Sequence, residues 1–246
     1  MMSQKWLWCV CYAVTVAFEA AYATPTTHIW SPSTDVQPFK VWHLTSDFYV
    51  PTETVDGARP ATITNFGLTV GVLPFKNLNA EVGVDHKSGT GVDAYPIYFN
   101  AKVSIPKDAF GKTLPALAVG IYDMGTEEDK TDFNVLYAKA AKTLKLNELS
   151  LGRFSAGYFV GNPDLLRDGD KKDNAGVLLA WERVMTEVTD KLWVCVDYQG
   201  TESAYGAFSF GFSYKFSDNV SAIFGYDMFN NQDFADTFTV QVDIDF

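Results

Sequence analysis

Beyond its first two dozen residues, the chain consists of short stretches in which apolar and polar residues alternate, separated by turns. The stretch 237–246 shows this most clearly. Its apolar residues are Phe238, Val240, Val242, Ile244 and Phe246, and the intervening residues are polar. Successive side chains of a strand point to opposite faces, so a period of two predicts a strand with one apolar and one polar face.

The same alternation predicts about twelve strands, most of them near the ~9–11 residues that a tilted membrane-spanning strand needs. They lie at 36–50, 61–74, 78–87, 95–106, 114–123, 133–144, 151–161, 175–185, 191–200, 205–216, 220–230 and 237–246. No convincing helical period interrupts them. The pattern therefore predicts an all-β protein.

The predicted connections alternate in length. Tight turns lie at 76–77, 145–148, 186–190 and 217–219, and longer charged loops lie at 51–60, 87–94, 125–132 and 162–174. Short turns at one end and long loops at the other are typical of membrane β-barrels. Two connections depart from this rule, since 106–115 is long for a turn and 200–204 is short for a loop.

The final stretch resembles the closing strand of Gram-negative outer-membrane β-barrels, in which a C-terminal Phe follows alternating apolar residues. The resemblance implies a transmembrane antiparallel up-and-down barrel of about twelve strands in the cell outer membrane, with both termini periplasmic. It also implies that Phe238, Val240, Val242, Ile244 and Phe246 form the assembly signal read by the barrel-assembly machinery. Outer-membrane lipid and lipopolysaccharide would surround such a barrel.

Strand parity assigns one face to lipid and the other to the lumen. The tentative pore-lining residues are Glu81, Asp85, Lys102, Arg153, Glu182, Asp197, Lys215, Asp227 and Asp243, with Asp245 and Lys139 as further candidates. Many other inward positions are small, which predicts a narrow water-filled path. The alternative is that charges of both signs pair across the lumen and seal it.

The pattern does not decide which face of the first strand points outward. Phe39 and Val41 favour one face of the first strand, whereas Trp42 and Leu44 favour the other, and a β-bulge would reconcile them.

Two aromatic belts are expected near the strand ends. Their predicted members are Trp181, Trp193, Tyr214 and Phe216 at one end and Tyr95, Tyr98, Tyr122 and Phe229 at the other.

The N-terminus has the features of an export segment. Lys5 precedes an apolar core, and Ala21-Tyr22-Ala23 fits a cleavage site, so 1–23 is predicted to be a signal peptide, 24–35 a periplasmic lead-in and 36–246 the transmembrane barrel. The lead-in is expected to be loosely tethered, with Trp30 packed or plugging the periplasmic mouth. Cleavage would leave Cys195 as the single cysteine, without an intramolecular disulfide partner.

Composition excludes one class of partner. The net charge is -11 and the isoelectric point is near 4.6, which argues against nucleic-acid binding. The mean hydropathy of -0.03 is compatible with membrane strands, because each strand carries about as many polar as apolar residues.

Catalytic and metal sites are weakly indicated. His86 and Ser88 with Asn100 are similar to the catalytic residues of outer-membrane phospholipase A, but parity places Asn100 and His86 on opposite faces. An omptin-like protease would need a second acidic pair beside Asp85 and His86. The acidic loop after Asn162 lacks the pattern of a calcium loop and is expected to be solvated and mobile. No cofactor is expected.

These observations favour a porin-like channel for passive diffusion of small solutes or ions, with a modest cation preference. One alternative is a non-conducting outer-membrane barrel whose loops bind or adhere. A barrel phospholipase or protease is the other alternative.

Overall fold

The computed structural model describes residues 26–111, 113–147 and 149–246. The predicted signal peptide and the first two residues of the lead-in lie outside this range. Within the described residues no helix is long and apolar enough to cross a membrane.

Twelve strands close into one antiparallel barrel, in which each strand pairs with its neighbours in the chain. The first seven are β1 (Trp42–Pro51), β2 (Ile63–Gly71), β3 (Asn79–Ser88), β4 (Ile97–Ile105), β5 (Ala116–Gly125), β6 (Asp132–Leu146) and β7 (Leu149–Val160). After a small loop hairpin, β8 (Arg167–Asp168) and β9 (Lys171–Lys172), come β10 (Ala175–Val184), β11 (Leu192–Gln199), β12 (Ala207–Ser217), β13 (Val220–Phe229) and β14 (Thr237–Asp245). The predicted all-β barrel and its strand number are confirmed.

Pairing of β1 with β14 closes the sheet, from His43 opposite Asp245 to Pro51 opposite Thr237. Closure pairs every strand edge, which a sheet in hydrocarbon requires because no water can satisfy free backbone groups there. We call the end with the short turns, where β1 begins and β14 ends, the inner end. The end with the longer loops is the outer end.

The outward side chains form an apolar belt, and the interior is largely polar. On β12, Phe208, Phe210 and Phe212 are each more than 40% exposed, whereas Ser209 between them is fully buried. Among the described buried side chains, polar and charged residues outnumber apolar ones. This inversion of the usual soluble-protein pattern is expected of a barrel surrounded by lipid.

The first strand is shorter than predicted. It begins at Trp42, and Trp42, Leu44 and Phe48 are exposed on its outward face. The prediction of a bulge within this strand is wrong, because the register of β1 with both neighbours is continuous. The two competing patterns are separated instead by a turn at Lys40, whose φ of 68° lies in the left-handed region and ends the alternation before the strand begins.

The predicted aromatic belts are wrong for four residues. Trp193, Tyr98, Tyr122 and Phe229 face or pack into the interior. A bulge between Tyr122 and Met124 interrupts the register of β5, and position along a strand alone does not say which face an aromatic side chain occupies.

Candidate functional site

The interior of the barrel contains the residues that precede β1. Residues 26–34 form a hairpin with an antiparallel bridge between Thr27 and Pro32, and the backbone N–H of His28 donates to Ser31 O at 2.8 Å. His28 and Ile29 at its tip are buried. We call this segment the luminal hairpin. The expectation of a loosely tethered lead-in does not describe these residues.

Two glycines of the wall make room for the tip. Cβ atoms placed on Gly225 and Gly211 would lie 2.7 Å and 3.1 Å from side-chain atoms of Ile29, closer than ordinary packing. Ile29 packs in a buried cluster with Cys195, Ile223 and Trp193. The small inward residues of this region therefore accommodate a segment of the chain, whereas the sequence analysis assigned them to an open path.

Asp197 of β11 is the main anchor of the luminal hairpin. It is almost fully buried. Its Oδ2 accepts the backbone N–H groups of Ile29 at 2.9 Å and Trp30 at 3.3 Å, and its Oδ1 accepts that of Ser31 at 2.8 Å. Hydrogen bonds from several N–H groups to one carboxylate are charge-assisted and offset the cost of burying it.

Two interior lysines bind backbone oxygens of the same segment. Lys139 Nζ donates to Pro32 O at 2.8 Å, and Lys102 Nζ donates to Thr26 O at 2.6 Å and Asp35 O at 2.7 Å. The two lysines lie on β6 and β4, on either side of β5. Their ammonium groups donate to backbone carbonyl groups of the interior, which need hydrogen-bond partners away from water.

A network of charged residues holds the base of the hairpin. The Arg153 guanidinium donates to Glu182 Oε1 at 2.7 Å and binds both carboxylate oxygens of Asp35. Glu182 Oε2 accepts Trp193 Nε1–H at 2.8 Å, and its Oε1 lies 3.2 Å from His28 Nε2. Burial lowers the pKa of His28 below its ordinary value, so the ring is neutral at neutral pH.

The outer end is also packed on this side. Leu166, from the acidic loop between β7 and β10, is fully buried in a cluster with Val135, Tyr137, Phe159 and Leu178. The loop is thus anchored in the barrel mouth at Leu166, while Asp164 and Lys172 are exposed to solvent as expected. We call the interior beside β6, β7 and β10 to β13 the packed side.

A cavity of about 350 Å³ remains toward the opposite side, between the luminal hairpin and the wall of β14 and β1 to β5, and Tyr137 of β6 and Phe229 of β13 also line it. We call this the open side. Its charged lining residues are the carboxylates Asp47, Glu81, Asp85, Asp123 and Asp243 and the basic residues His43, Lys87 and Lys102.

Seven of the nine predicted pore-lining residues bind the luminal hairpin or line the cavity, and the other two have different surroundings. Glu182, Asp197 and Arg153 bind the luminal hairpin directly. Glu81, Asp85, Lys102 and Asp243 line the cavity, with Glu81 3.1 Å from Lys102 and accepting the backbone N–H of Gln37 at 2.8 Å. Asp227 is fully buried and accepts a hydrogen bond from Thr237 at 2.9 Å, and Lys215 lies 3.5 Å from Asp218 near the inner end.

Sequence reasoning missed four interior residues of the open side. His43 and Asp47 were lost because the face of β1 was undecided, although the choice of Trp42 and Leu44 as outward residues would have found them. Lys87 was placed at the boundary between the predicted strand 78–87 and the loop 87–94, and it was not assigned to the lumen. Lys87 Nζ lies 2.5 Å from Asp123 Oδ1. Asp123 is the fourth missed residue; it has a left-handed φ and lies in the bulge of β5. No sequence pattern indicated this bulge.

The proposed catalytic set does not assemble. His86 is exposed on the outward face of β3, whereas Asn100 points inward and donates to Asp85 at 2.7 Å. The described residues contain no group of three His, Cys, Asp or Glu side chains placed to hold a metal ion.

The assembly residues predicted on β14 lie on its outward side. Phe238 and Phe246 are exposed, and Val240, Val242 and Ile244 between them are partly exposed. Their polar neighbours Thr239, Gln241 and Asp243 are buried in the interior. This arrangement is the two-faced strand that the alternation predicts.

The barrel is similar to solved outer-membrane barrels. The KdgM porin matches with a TM-score of 0.51 and 8% identity over 84% of this chain and 99% of that one. The COG4313 outer membrane channel from Pseudomonas putida F1 matches with a TM-score of 0.47 and 11% identity over 87% and 98%. Outer membrane phospholipase A from Escherichia coli matches with a TM-score of 0.47 and 12% identity over 82% and 91%.

No family model and no curated protein matches the sequence. The likeness to solved structures is therefore a likeness of fold. The chain has the fold of outer-membrane β-barrel porins, in agreement with a location in the cell outer membrane.

Proposed function

We propose that the barrel is a narrow channel for passive diffusion of small solutes or ions and that the open side is its path. The observation that carries this proposal is the cavity of about 350 Å³ beside the luminal hairpin. Its lining extends from Asp243 and Lys102 toward the inner end to Lys87 and Thr90 at the outer end. Charged and amide side chains occur along this length and can bind water.

The charges along the cavity favour cations. Five carboxylates and two lysines line it, together with His43. Both lysines are paired, Lys87 with Asp123 and Lys102 with Glu81. Fixed charge of one sign beside a narrow path of low dielectric concentrates counter-ions and repels co-ions, so we expect a modest cation preference.

The comparison with porins supports a channel but not a particular solute. One similar structure is described as the KdgM porin in complex with disordered oligogalacturonate, at a TM-score of 0.50 and 7% identity. An acidic ligand of that kind is disfavoured by the excess of carboxylates on the open side here. We therefore propose cations and neutral solutes for this chain.

The test is a reversal-potential measurement on purified protein in a planar bilayer with a potassium chloride gradient. The proposal expects small, steady conductance steps and a reversal potential of cation-selective sign. Protein that has been heat-denatured before addition is the control. Anion selectivity at low salt would show that the open side is not the path.

The packed side gives a specific reason to keep one alternative. A luminal hairpin bound through Asp197 and a loop packed through Leu166 together fill much of the lumen. A non-conducting barrel with binding or adhesive loops would have this property. A folded protein that inserts into the bilayer without current would favour that function over the channel.

We further propose outer-membrane lipid and lipopolysaccharide as the surroundings of the apolar belt, and the barrel-assembly machinery as the receptor of the β14 outward residues. Replacement of Phe246 by Asp should lower the amount of protein in the outer membrane while export continues. Ser217→Ala, at the inner end of β12, is a matched control. Normal outer-membrane levels of the Phe246 variant would contradict the assembly role.

A further inference from the structure

A polar patch crosses four adjacent strands on the open side. Asp47 of β1 is opposite Asn65 of β2 in the register, and Asp85 of β3 lies opposite Tyr98 of β4. Asn65 Nδ2 donates to Asp47 Oδ2 at 3.0 Å and to Asp85 Oδ1 at 3.4 Å, and Asn100 Nδ2 donates to Asp85 Oδ2 at 2.7 Å.

No basic side chain of the described residues contacts the two carboxylates of this patch: Lys87 attracts Asp85 without contact and forms its ion pair with Asp123. Among the described residues, neither Asp47 nor Asp85 forms an ion pair, and each is bound only by amide or hydroxyl donors, including Thr45 Oγ1–H at 2.6 Å from Asp47. Asp197 on the packed side, in contrast, accepts three backbone N–H groups. Carboxylates removed from bulk water need a compensating charge, and the cavity that they line could admit one.

Unused acceptors border the same cavity. Asp243 of β14 is only 2% exposed and lines the cavity. Its Oδ1 lies 3.3 Å from His43 Nε2, whereas its Oδ2 has no hydrogen-bond partner. Asn65 Oδ1 is buried and unpartnered as well. A buried oxygen without a donor is unfavourable unless a ligand or water supplies the proton.

Aromatic rings stand beside these oxygens. Tyr49 lies two residues beyond Asp47 on the same face of β1, and Tyr98 is the cross-strand neighbour of Asp85; both rings line the cavity. Trp30, at the tip of the luminal hairpin, packs edge-on against Tyr49 with ring centroids 5.5 Å apart. The Tyr98 ring already has Lys87 Nζ 5.0 Å from its centroid, which leaves Tyr49 as the ring for a ligand's ammonium group. Carboxylates next to an aromatic ring favour an organic ammonium over a strongly hydrated metal ion, because the ring attracts a poorly hydrated cation.

We propose that the open side contains a binding site for small primary ammonium compounds, formed by Asp47, Asp85 and Asp243 with Tyr49 and Tyr98. The ammonium group would donate to the carboxylates and to Asn65 Oδ1, and the carbon chain would lie against the rings. A cavity of about 350 Å³ is within the usual size of small-molecule sites. The proposal deepens the channel function and rests on it, because the ligand would enter by the same path.

The experiment uses putrescine as the probe and butanediol, its uncharged analogue of similar length, as the control ligand. Titration calorimetry on the folded barrel in detergent should show binding of putrescine and none of butanediol. In planar bilayers, putrescine should reduce the potassium current in a saturable manner. The double variant Asp47→Asn/Asp85→Asn should weaken both effects about tenfold or more, since each lost contact is a charge-assisted hydrogen bond.

Glu128→Gln is the matched control variant, because it removes one carboxylate from an exposed outer loop and should leave putrescine binding unchanged. Calorimetric binding by a barrel that carries no current would contradict the channel and leave the site standing. A conducting barrel that does not bind putrescine would overturn the site. Equal binding by wild type and the double variant would overturn it too. The single variant Asp85→Asn replaces the double variant if the latter fails to show the heat-dependent gel shift of a folded barrel.

Discussion

The two sides of the lumen use inward carboxylates in opposite ways. On the packed side, Asp197 is bound by three backbone N–H groups of the luminal hairpin, and Glu182 by Arg153 and Trp193. On the open side, Asp47 and Asp85 are bound by side-chain amides and a hydroxyl only. Asp197 and Glu182 therefore anchor the chain where the hairpin reaches them, whereas Asp47 and Asp85 remain available to a mobile cation.

The steric environment follows the same division. On the packed side, Gly211 and Gly225 give their space to Ile29. On the open side, no segment of the described chain fills the space in front of Asp85, and the cavity remains. The width of the path is thus determined by where the hairpin lies and not by the strand number alone.

Removal of the luminal hairpin should abolish the difference between the sides and have the largest effect. Deletion of residues 26–34 would expose the packed side to water, so the unitary conductance should rise severalfold.

A complementary variant, Ile29→Cys, places a thiol in the buried cluster that holds Cys195. Oxidation of this pair should lock the hairpin and leave the basal conductance unchanged, because the path runs beside it. Loss of current on locking would mean that the hairpin itself must move.

Asp197→Asn should loosen the hairpin without removing it. The variant keeps the shape of the side chain but loses the charge that three N–H groups share, which corresponds to about 1–3 kcal/mol. Hydrogen exchange of the backbone at 28–31 should accelerate and current noise should increase. Asp164→Asn, on an exposed loop carboxylate, is the control. Unchanged exchange in the Asp197 variant would contradict the anchoring role.

Asp47→Asn and Asp85→Asn should change selectivity instead of stability. Removal of fixed negative charge along the path should shift the potassium-to-chloride permeability ratio toward unity. Glu182→Gln, which lies on the packed side against Arg153, should change this ratio less. Reversal potentials in a salt gradient would measure the permeability ratio of all three variants. A larger shift for Glu182→Gln would show that the path runs along the packed side and not along the open side.

Salt should reduce the cation preference further. The exposed carboxylates of Glu128 and Asp129 act through water at the outer end, where the screening length falls from ~10 Å at 0.1 M to ~3 Å at 1 M ionic strength. Reversal potentials at a fixed gradient ratio and rising mean salt should therefore decline to a plateau set by the cavity carboxylates. A preference that vanished entirely would leave no role for Asp47 and Asp85.

Mild acid should have the smallest effect, through His28 of the luminal hairpin. Since burial lowers the pKa of His28 in the docked hairpin, protonation favours the undocked state. Docking stability is therefore greatest above the ordinary histidine pKa of 6.5 and declines as the pH falls below it. His28→Gln should remove the part of the increase in backbone exchange at 28–31 that appears between neutral and mildly acidic pH. An equal increase in the variant would assign the effect to other groups.

The strands follow from the amino-acid sequence alone. Alternation at Phe238, Val240 and Val242 predicted a strand with one apolar face, and the same alternation along the chain predicted about twelve strands. Such features are local, because a strand next to lipid has a period of two that any single segment displays. The closed barrel follows from them, since each segment needs both edges paired in a membrane.

The arrangement of the interior residues, in contrast, depends on the tertiary structure. No periodicity indicates that 26–34 returns into the lumen, because these residues lack a repeating pattern, and their partners Lys102, Lys139 and Asp197 are distant in sequence. Likewise, the inward turn of Asp123 depends on a bulge set by pairing with the neighbouring strands. The position of a charged residue within the alternating pattern predicts that its side chain faces the lumen. Its binding partner depends on which distant segment of the chain lies next to it in the folded barrel.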